Sequence, residues 1–239
     1  MTRAAAPGET VELRVRRFDP TTDRRPYWAR YEVAVRPKMS VLDALFAVLE
    51  QQDGTLGFRY SCRAAMCGSC AMVIDGREAL ACATRLARLG RRITVEPLRQ
   101  LPIVKDLVTD LEPFWAKWAV VTPYFVGGRY REPAVIPPES GRREIIDAQL
   151  DCITCAACYS ACPIVASNPR YLGPAALNRA YNLIADERDT AAAQRLAAVC
   201  GEDGAFSCRN AFNCVEVCPQ GIDPQRSILR LRQRALVGA

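Results

Sequence analysis

Hydrophobic and polar residues alternate along two short stretches near the start of the chain, residues 11–16 and 30–35. Alternation with a period of two is typical of half-buried strands, so we predict a strand in each stretch. Ser40 then precedes residues 41–49, in which apolar positions recur at helical spacing. A serine is a favourable N-cap, and we therefore predict an amphipathic helix that packs on the sheet.

A second pair of apolar stretches, residues 71–74 and 79–82, flanks the dipeptide Asp75-Gly76. An Asp-Gly pair between two such stretches predicts a hairpin, because both residues tolerate positive φ angles. Residues 92–95 predict one further strand. We therefore expect a small α+β domain at the N-terminal end of the chain.

The remainder of the chain has a different periodicity. Apolar residues recur at helical spacing in four stretches, residues 104–117, 174–185, 191–199 and 224–236. Asp223-Pro224 supplies an N-cap and a first-turn proline for the last of them. We therefore divide the chain into an α+β domain of residues 1–103 and an all-α domain of residues 104–239.

The segment of residues 119–141 contains several prolines and glycines. Structureless loops of this length are uncommon in compact domains, so we expect contacts to order it, with a partner protein as one candidate. No apolar stretch approaches the roughly 18 residues that span a bilayer, and residues 1–9 lack the apolar core of a secretory signal. We therefore expect a cytoplasmic protein that is soluble or peripheral to a membrane.

The cysteine and histidine contents limit the kinds of metal, redox or catalytic site that the chain can form. The 239 residues include 12 cysteines and no histidine. In a long chain in a reducing compartment, many cysteines favour metal or redox sites over disulfides. The lack of histidine excludes histidine-ligated haem, Rieske centres, mixed Cys/His zinc sites and histidine-based acid–base catalysis on this chain. Thiolates are the soft ligands that remain.

The first cysteine group has the spacing C-x4-C-x2-C followed by a fourth cysteine: Cys62, Cys67, Cys70 and Cys82. This spacing is that of plant-type ferredoxins, which bind a 2Fe-2S cluster. The alternative is a structural four-cysteine zinc site. Zinc ligands usually come as two short C-x2-C pairs, however, and Cys62 and Cys67 are too far apart for one. The group therefore predicts a 2Fe-2S site.

The second group repeats the spacing of two-cluster bacterial ferredoxins, C-x2-C-x2-C-x3-C-P, with Cys152, Cys155, Cys158 and Cys162-Pro163. In that motif the cysteine before the proline binds the other cluster. We call residues 152–163 the second run, because they follow the first cysteine group. It predicts three ligands of a 4Fe-4S cluster and one ligand of a neighbouring cluster.

Residues 208–219 form a third run with the same spacing. Counted back from Cys218-Pro219, its ligand positions are Cys214, Ala211 and Cys208. Crossing the ligands assigns Cys152, Cys155, Cys158 and Cys218 to a 4Fe-4S cluster, and Cys162, Cys208 and Cys214 to the other. Ala211 offers a methyl group in place of the fourth thiolate. We therefore predict a 3Fe-4S cluster at this site.

Three further features refine the interpretation. Cys200 lies outside both runs, and we interpret it as a small buried apolar residue. The formal charge of +6 does not indicate nucleic-acid binding, because three oxidised clusters carry about −2 each with their thiolates. The sequence has no glycine-rich phosphate loop and no nucleophile with a histidine partner. The chain thus predicts electron carriers without a reaction centre of its own.

This arrangement resembles the iron–sulfur subunit of the succinate dehydrogenase and fumarate reductase family, complex II, over nearly the whole chain. The motifs shared beyond the cysteine spacing are Tyr60-Ser61-Cys62-Arg63, Met66-Cys67-Gly68-Ser69-Cys70, Leu80-Ala81-Cys82, Lys105-Asp106-Leu107-Val108, Asn168-Pro169, Gly173-Pro174-Ala175 and Asn213-Cys214. The resemblance implies a β-grasp-like plant-type ferredoxin domain followed by an all-α domain like that of bacterial ferredoxins.

The resemblance also implies a function, that of the relay subunit of a succinate:quinone oxidoreductase. Electrons from FAD on a flavoprotein subunit would pass through 2Fe-2S, 4Fe-4S and 3Fe-4S to quinone at a membrane anchor. The flavin and dicarboxylate sites would lie on another chain, so catalysis is shared among subunits. The expected location is peripheral, on the cytoplasmic face of a bacterial inner membrane. Ligand spacing does not fix the direction of turnover.

Family members bind quinone beside the 3Fe-4S site, and the matching positions here are Pro163, Ser167, Arg209 and Ala211. The proline agrees with the family pattern, but Ser167 replaces a tryptophan and Arg209 replaces a histidine. The indole hydrogen bond to quinone therefore cannot come from this chain. We hypothesise a pocket for a menaquinone-like acceptor with Arg209 as a donor, or else a pocket completed wholly by the anchor.

Three other interpretations remain open. In the first, the chain is a relay subunit of a quinol:fumarate reductase, of a thiol-coupled fumarate reductase or of another flavin dehydrogenase. In the second, it is a free multi-cluster ferredoxin that is stable alone. In the third, it is a zinc-containing binding module. The thiol-coupled variants often carry extra cysteine-rich repeats at the C-terminal end, and none follows Cys218. A zinc module predicts a colourless protein without iron.

Overall fold

Two units make up the fold, which a computed structural model describes for residues 8–128 and 134–237. The first unit comprises Met1–Leu111 with Cys155–Ser160, and the second comprises Glu112–Thr154 with Ala161–Ala239. The units thus divide eight residues later than the boundary that we place after residue 103, which stays a prediction. Residues 1–7, on which our secretory-signal prediction partly rests, and residues 129–133 of the segment 119–141 lie outside the described residues.

The first unit is built on a five-stranded sheet whose strands are β1 (Thr10–Arg17), β2 (Tyr27–Ala34), β3 (Ala71–Ile74), β4 (Arg77–Leu80) and β5 (Arg92–Glu96). The strand order is β2-β1-β5-β3-β4. β1 and β5 pair in parallel, and the other neighbours are antiparallel. This topology, with one helix on the sheet, confirms the α+β fold class with its β-grasp-like domain.

Local sequence explains these elements. Val11, Leu13 and Val15 are buried and alternate with more exposed residues along β1, as the period of two predicts. Asp75 and Gly76 have φ angles of 47° and 81°, which a tight hairpin turn requires. The predicted hairpin is therefore confirmed, although its second strand spans Arg77–Leu80 rather than residues 79–82.

Helix α1 (Val41–Gln51) begins where the sequence predicts. The Ser40 side chain accepts a hydrogen bond from the Asp43 backbone N–H at 3.2 Å, and the Asp43 carboxylate accepts one from the Ser40 N–H at 2.8 Å. This reciprocal pair satisfies two backbone donors that would otherwise lack partners. Leu42, Leu45 and Val48 are buried beneath the helix, so the N-cap and the packing face are both confirmed.

The predicted helix at residues 104–117 is wrong in its first half. Residues there form a two-stranded hairpin of β6 (Ile103–Lys105) and β7 (Val108–Thr109), and helix α2 begins only at Glu112 and ends at Val120. Asp106 in the turn has a φ angle of 49°, which a right-handed helix does not allow. Its carboxylate accepts hydrogen bonds from the Phe18 N–H at 3.0 Å and the Gly57 N–H at 2.8 Å.

Asp106 also belongs to a buried charge network around Arg17. The Arg17 Nε donates to Asp106 at 2.8 Å, and its other nitrogens donate to Asp53, to the Tyr31 hydroxyl and to Thr55. Because a buried guanidinium is stable only with such partners, the network holds β1, β2, the end of α1 and the β6–β7 turn together. It explains why Asp106 belongs to this unit.

The second unit is helical over its described residues, as predicted. After α2, its helices are α3 (Gly141–Leu150), α5 (Pro163–Ser167), α6 (Pro174–Ala185), α7 (Ala192–Val199), α8 (Asn213–Glu216) and α9 (Pro224–Val237), whereas α4 (Ala157–Ser160) belongs to the first unit. The buried helix α6 packs against α3, α7 and α9. None of the helices in the described parts of the chain has the length and apolar character needed to cross a bilayer.

Part of the segment 119–141 is ordered by contacts within this unit. Arg195 of α7 is 1% exposed, and its side chain donates to the carbonyl oxygens of Thr122 at 3.2 Å and Tyr124 at 2.7 Å. The same guanidinium forms a buried ion pair with Asp189. The chain itself therefore supplies ordering contacts at this end of the segment.

Candidate metal centres

The first cysteine group lies in the first unit, and its loop aims backbone donors at sulfur. In residues 62–70, which we call the Cys62 loop, the Cys62 Sγ accepts hydrogen bonds from the N–H groups of Ala64 at 3.4 Å and of Met66 and Cys67 at 3.3 Å. Arg63 and Ala65 have φ angles of 56° and 60°. Successive N–H groups of such left-handed turns point into an anion-binding concavity.

The four predicted ligands of this group lie near one another. Cys70 and Cys82 are buried, and the Ala81 N–H donates to the Cys70 carbonyl at 3.0 Å, which holds their two chain segments together. Burial and the facing Cys82 and Cys67 thiols raise the pKa of Cys70 to about 12. Hydrogen bonds from Ser69 and from the Cys62 backbone lower the pKa of Cys67 to about 6. The site thus combines buried and exposed thiols.

Arg63 attaches the outer edge of the Cys62 loop to helix α1. Its guanidinium lies 4.5 Å from the ring centre of Phe46 and 5.3 Å from that of Tyr60. The two rings pack edge to face, 4.7 Å apart. Such cation–π contacts are typically worth about 0.5–1 kcal/mol at exposed positions. Sequence reasoning includes Tyr60 and Arg63 in a shared motif but does not indicate this role.

The second and third runs have the same backbone conformation at equivalent positions. Two and four residues after Cys152, the φ angles of Thr154 and Ala156 are 51° and 61°. Two and four residues after Cys208, those of Asn210 and Phe212 are 55° and 61°. A four-residue helix starts at the next residue in both cases, α4 in one run and α8 in the other. Ala211 therefore occupies the structural position that corresponds to Cys155.

The cysteines of the predicted 4Fe-4S set are divided between the units. Cys155 and Cys158 belong to the first unit, whereas Cys152 and Cys218 belong to the second. Burial raises the pKa of Cys152, whose thiol also faces Cys218 and the guanidinium of Arg179. Cys152 and Cys218 thus lie near each other, as expected if they bind the same 4Fe-4S cluster. The full set of four ligands stays a prediction.

The three cysteines predicted to hold a 3Fe-4S cluster lie together in the second unit. Cys162, Cys208 and Cys214 line one cavity, together with Ala211, that contains about 310 Å³ of unfilled space, part of it open to solvent. Burial raises the pKa of Cys162 and, with the facing thiols of the other two, raises that of Cys214 to about 12. The Cys208 Sγ accepts a hydrogen bond from the Asn210 N–H at 3.4 Å.

Three of the four predicted quinone-site residues line this same cavity. Pro163, Arg209 and Ala211 are on its wall, whereas Ser167 is not, and the Ser167 hydroxyl instead donates to the Ile164 carbonyl at 3.3 Å within helix α5. All four residues are exposed. The neighbouring Phe212 ring is 49% exposed. The structure thus groups an exposed arginine with apolar surface beside the three cysteines.

Two cationic side chains near the third run have roles that the sequence does not indicate. Arg232 of α9 resembles a surface arginine in sequence, but it donates to the carbonyl oxygens of Ala205 and Cys208. Lys117 of α2 is half-buried. Burial lowers the pKa of Lys117, and Asp203 and the Cys162 thiol are the charges that face it. Two cationic side chains therefore lie near the site where thiolates would collect.

Tyr171, between α5 and α6, also lines the cavity of the three cysteines. It is fully buried, and its hydroxyl has no hydrogen-bond partner among the described residues. Burial, and then the facing thiols of Cys208, Cys162 and Cys214, raise the pKa of Tyr171, so the phenol keeps its proton. The Cys208 thiol lies near the Tyr171 hydroxyl and affects its pKa, but the two groups do not form a hydrogen bond.

The donor sets fit iron–sulfur clusters better than single metal ions. Within the described ranges, no three cysteine, aspartate or glutamate side chains are close enough to share one ion. A cluster binds its cysteines through different irons and accepts hydrogen bonds at its sulfurs. The converging N–H groups of the Cys62 loop and the partnerless Tyr171 hydroxyl match those requirements.

Comparisons with known proteins agree with this geometry. Residues 12–116 match the model of a 2Fe-2S iron-sulfur cluster binding domain, and residues 148–222 match that of a 4Fe-4S dicluster domain. The fumarate reductase iron-sulfur subunit of Mycobacterium tuberculosis is 41% identical over 241 residues, which cover 97% of this chain and 95% of that protein. The chain belongs to the family of succinate dehydrogenase and fumarate reductase iron–sulfur subunits.

Other members of this family are similar over most of their length. The succinate dehydrogenase iron-sulfur subunit of Coxiella burnetii is 38% identical, with 93% of this chain and 95% of that protein covered. A chain from a structure titled as the Mycobacterium smegmatis Sdh1 complex in the apo form superposes with a TM-score of 0.85 at 29% identity, with 95% of this chain and 96% of that chain covered.

The matched domains contain all the predicted ligands. The 2Fe-2S domain includes the four cysteines of the first group, and the dicluster domain includes the cysteines of the second and third runs. Cys200 falls within the dicluster domain as well, but it is half-buried rather than fully buried as we expect. Burial raises the pKa of its thiol, and no observation assigns it a ligand role.

Proposed function

We propose that this chain is the electron-relay subunit of a membrane-bound succinate:quinone oxidoreductase. When bound, 2Fe-2S, 4Fe-4S and 3Fe-4S clusters supply one-electron carriers between FAD on a flavoprotein subunit and quinone at a membrane anchor. The chain contributes thiolate ligands, backbone donors and an apolar enclosure, while dicarboxylate chemistry belongs to the flavoprotein. The ligand sets proposed are those given above for each cluster.

The observation that carries the proposal is the matching backbone of the second and third runs. Ala211 lies where the equivalent run has Cys155, while Cys162, Cys208 and Cys214 face one cavity. A methyl group cannot bind iron, so Cys162, Cys208 and Cys214 offer three thiolates to a cage that has four metal corners. This favours a 3Fe-4S cluster at the cavity of these three cysteines, which also lies beside exposed apolar surface.

The first experiment tests that assignment. The complex is isolated anaerobically with its partners, and iron content and low-temperature EPR are recorded in oxidised and reduced samples. We expect an oxidised three-iron signal that Ala211→Cys converts toward a four-iron cluster with a lower reduction potential, because the added thiolate supplies the missing ligand. Ala166→Cys is the matched control, since Ala166 is an exposed alanine close to Cys162 but outside the run.

The outcomes separate the alternatives. A three-iron signal that persists unchanged in Ala211→Cys contradicts our alignment of the third run. Zinc in place of iron contradicts the relay altogether and supports a zinc-containing module. A stable, fully loaded chain that never purifies with a flavoprotein supports a free ferredoxin-type carrier instead.

We further propose that quinone binds beside Pro163, Arg209 and Ala211, with Arg209 as a hydrogen-bond donor to a menaquinone-like acceptor. Support comes from the position of these residues on the cavity of the three cysteines. In the assembled complex, Arg209→Ala is expected to raise the KM for quinone about tenfold or more, because a charged hydrogen bond is worth about 1.5–3 kcal/mol. Arg234→Ala, on the exposed end of α9, is the control. An unchanged KM in Arg209→Ala removes this role.

The proposed location is peripheral, on the cytoplasmic face of a bacterial inner membrane, with a flavoprotein and a membrane anchor as partners. Relatives that are named as subunits, and a similar chain from a structure titled as a complex, support partners of this kind. Co-purification from membranes tests it directly. Recovery of the loaded chain solely from the soluble fraction, without a flavoprotein, contradicts it.

The same relay operating as a quinol:fumarate reductase is the second candidate. It is favoured by the fumarate reductase subunit of M. tuberculosis, whose identity of 41% is similar to the 38% of the succinate dehydrogenase subunit of C. burnetii. Turnover of the purified complex in both directions separates the two. Faster succinate oxidation than fumarate reduction supports the first candidate, and the reverse supports the second.

A further inference from the structure

The hydroxyl of Tyr171 is buried but takes part in no hydrogen bond with the described residues. The Tyr171 side chain is 0% exposed. Leaving a buried hydroxyl unpaired is destabilising, whereas phenylalanine would fill the same space without this cost. The position of Tyr171 is fixed, since its backbone N–H donates to Asn168 at 3.1 Å and that of Leu172 donates to Asp203 at 2.8 Å. The hydroxyl therefore needs an acceptor that the described residues do not supply.

The surroundings of the hydroxyl identify that acceptor. Tyr171 shares its cavity with Cys162, Cys208 and Cys214, and these three thiols are the charged or polar groups that act on it. The remaining wall is mostly apolar, with Pro174 and Ile228 among its members. The other polar side chains on the wall are Arg209, Asn213 and Gln225, and none of them forms a hydrogen bond with the hydroxyl. A cluster bound by the three cysteines would bring sulfur acceptors to the hydroxyl.

We propose that the Tyr171 hydroxyl donates a hydrogen bond to a sulfur of the three-iron cluster, either a cysteine Sγ or an inorganic sulfide, and thereby raises the reduction potential of that cluster. This inference rests on the proposed function. The reduced cluster carries one more negative charge than the oxidised cluster, so a donor at sulfur stabilises the reduced form more. Tyr171 is thus a tuning residue, which neither binds iron nor contacts the dicarboxylate.

The test is a redox titration of the intact complex, purified anaerobically and followed by EPR of the oxidised three-iron signal. Tyr171→Phe removes only the hydroxyl and is expected to shift the midpoint potential of this cluster to more negative values, while that of the 2Fe-2S cluster stays unchanged. After exchange into D2O, pulsed EPR should show that an exchangeable deuteron coupled to the three-iron signal is lost in Tyr171→Phe.

Tyr181→Phe is the matched control. Tyr181 is a buried tyrosine in α6 of the same unit, and it lines a separate cavity that contains none of the predicted ligands. It is expected to move neither potential and to keep the deuteron coupling. A shift of the same size in both variants would show a general packing effect and overturn the proposal.

A second variant covers the case in which Tyr171→Phe does not assemble. Site-specific 3-fluorotyrosine at position 171 keeps the hydroxyl and nearly the same volume, but it is a stronger donor. The midpoint potential should then shift to more positive values, opposite to Tyr171→Phe. An intact three-iron signal with an unmoved potential overturns the role of Tyr171, whereas a missing three-iron signal in the unmutated complex overturns the proposed function itself.

Discussion

In the Cys62 loop three backbone N–H groups converge on one exposed thiol, whereas at the cavity of Cys162, Cys208 and Cys214 the backbone donors are spread over separate thiols, two of which are buried. The first arrangement stabilises sulfur charge with the backbone of a short loop. The second uses an apolar enclosure with two nearby cationic side chains and a phenol. The first site thus depends mainly on local conformation, whereas the second also depends on tertiary packing.

This difference has a consequence for mutational sensitivity. Backbone donors persist under most side-chain substitutions, so the 2Fe-2S site should respond mainly to loss of a ligand or of the sheet beneath it. Side-chain donors can be removed singly, so the environment of the third run should be tunable residue by residue.

The largest effect should come from removal of a buried ligand at either site. Cys70→Ala is expected to abolish the 2Fe-2S signal and leave the three-iron signal, because each site has its own thiolates, and Cys214→Ala should do the reverse. Iron content and EPR of the anaerobic complex measure both. Cys200→Ala is the control and should leave all signals in place. Simultaneous loss of both signals in each variant would contradict independent sites.

A large effect confined to the first unit is expected for Arg17→Ala. Removing one partner of a buried charge network leaves the others uncompensated, and this typically costs about 3–5 kcal/mol. Hydrogen exchange should therefore accelerate in β1 and β2 but not in α6. Arg91→Ala, at an exposed ion pair with Glu9, should cost about 1 kcal/mol or less. Equal acceleration in both units would contradict the assignment of this network to the first unit alone.

The smallest effect should be a pH dependence in the same network. Hydrogen bonds from Thr55, Tyr31 and Arg17 lower the pKa of Asp53. The carboxylate thus contributes stability that is full above the ordinary aspartate pKa of about 3.9 and is lost as the pH falls toward the lower folded value.

Asp53→Asn should therefore be less stable than the unmutated chain near neutral pH by about 1 kcal/mol, since Asp53 is partly exposed. This difference should shrink below about pH 4. Urea titrations of the two proteins at several pH values measure it. A difference that stays constant down to the lowest pH at which both proteins fold would mean that the carboxylate charge has no part in it.

The sequence predicts the elements whose signals are local. The capped helix after Ser40, the Asp75-Gly76 hairpin and the alternating strand at β1 all follow from neighbouring residues. The hairpin at residues 103–109 does not, because Asp106 is held by Arg17, Phe18 and Gly57, which are distant along the chain. Helix α3 is also missed, since Ile146 is its one buried residue and leaves almost no apolar periodicity.

The candidate site divides in the same way. Cysteine spacing predicts which thiols lie together in the first group and around the three-cysteine cavity, because the motifs fix the short loops within each run and the crossing of ligands between runs. Spacing gives no information about Tyr171, Lys117 or Arg232, whose positions depend on how helices pack. Ser167 shows the opposite failure, since a matching position in the motif does not bring its side chain to the cavity wall.

Besides Gly68, six residues of the three cysteine loops are left-handed although they are not glycine: Arg63, Ala65, Thr154, Ala156, Asn210 and Phe212. Each such residue costs roughly 1–2 kcal/mol relative to a right-handed conformation. A newly synthesised chain without iron has little to offset this cost, so its loops should relax and expose reactive thiols. We therefore expect cluster insertion to come before these loops are stably folded.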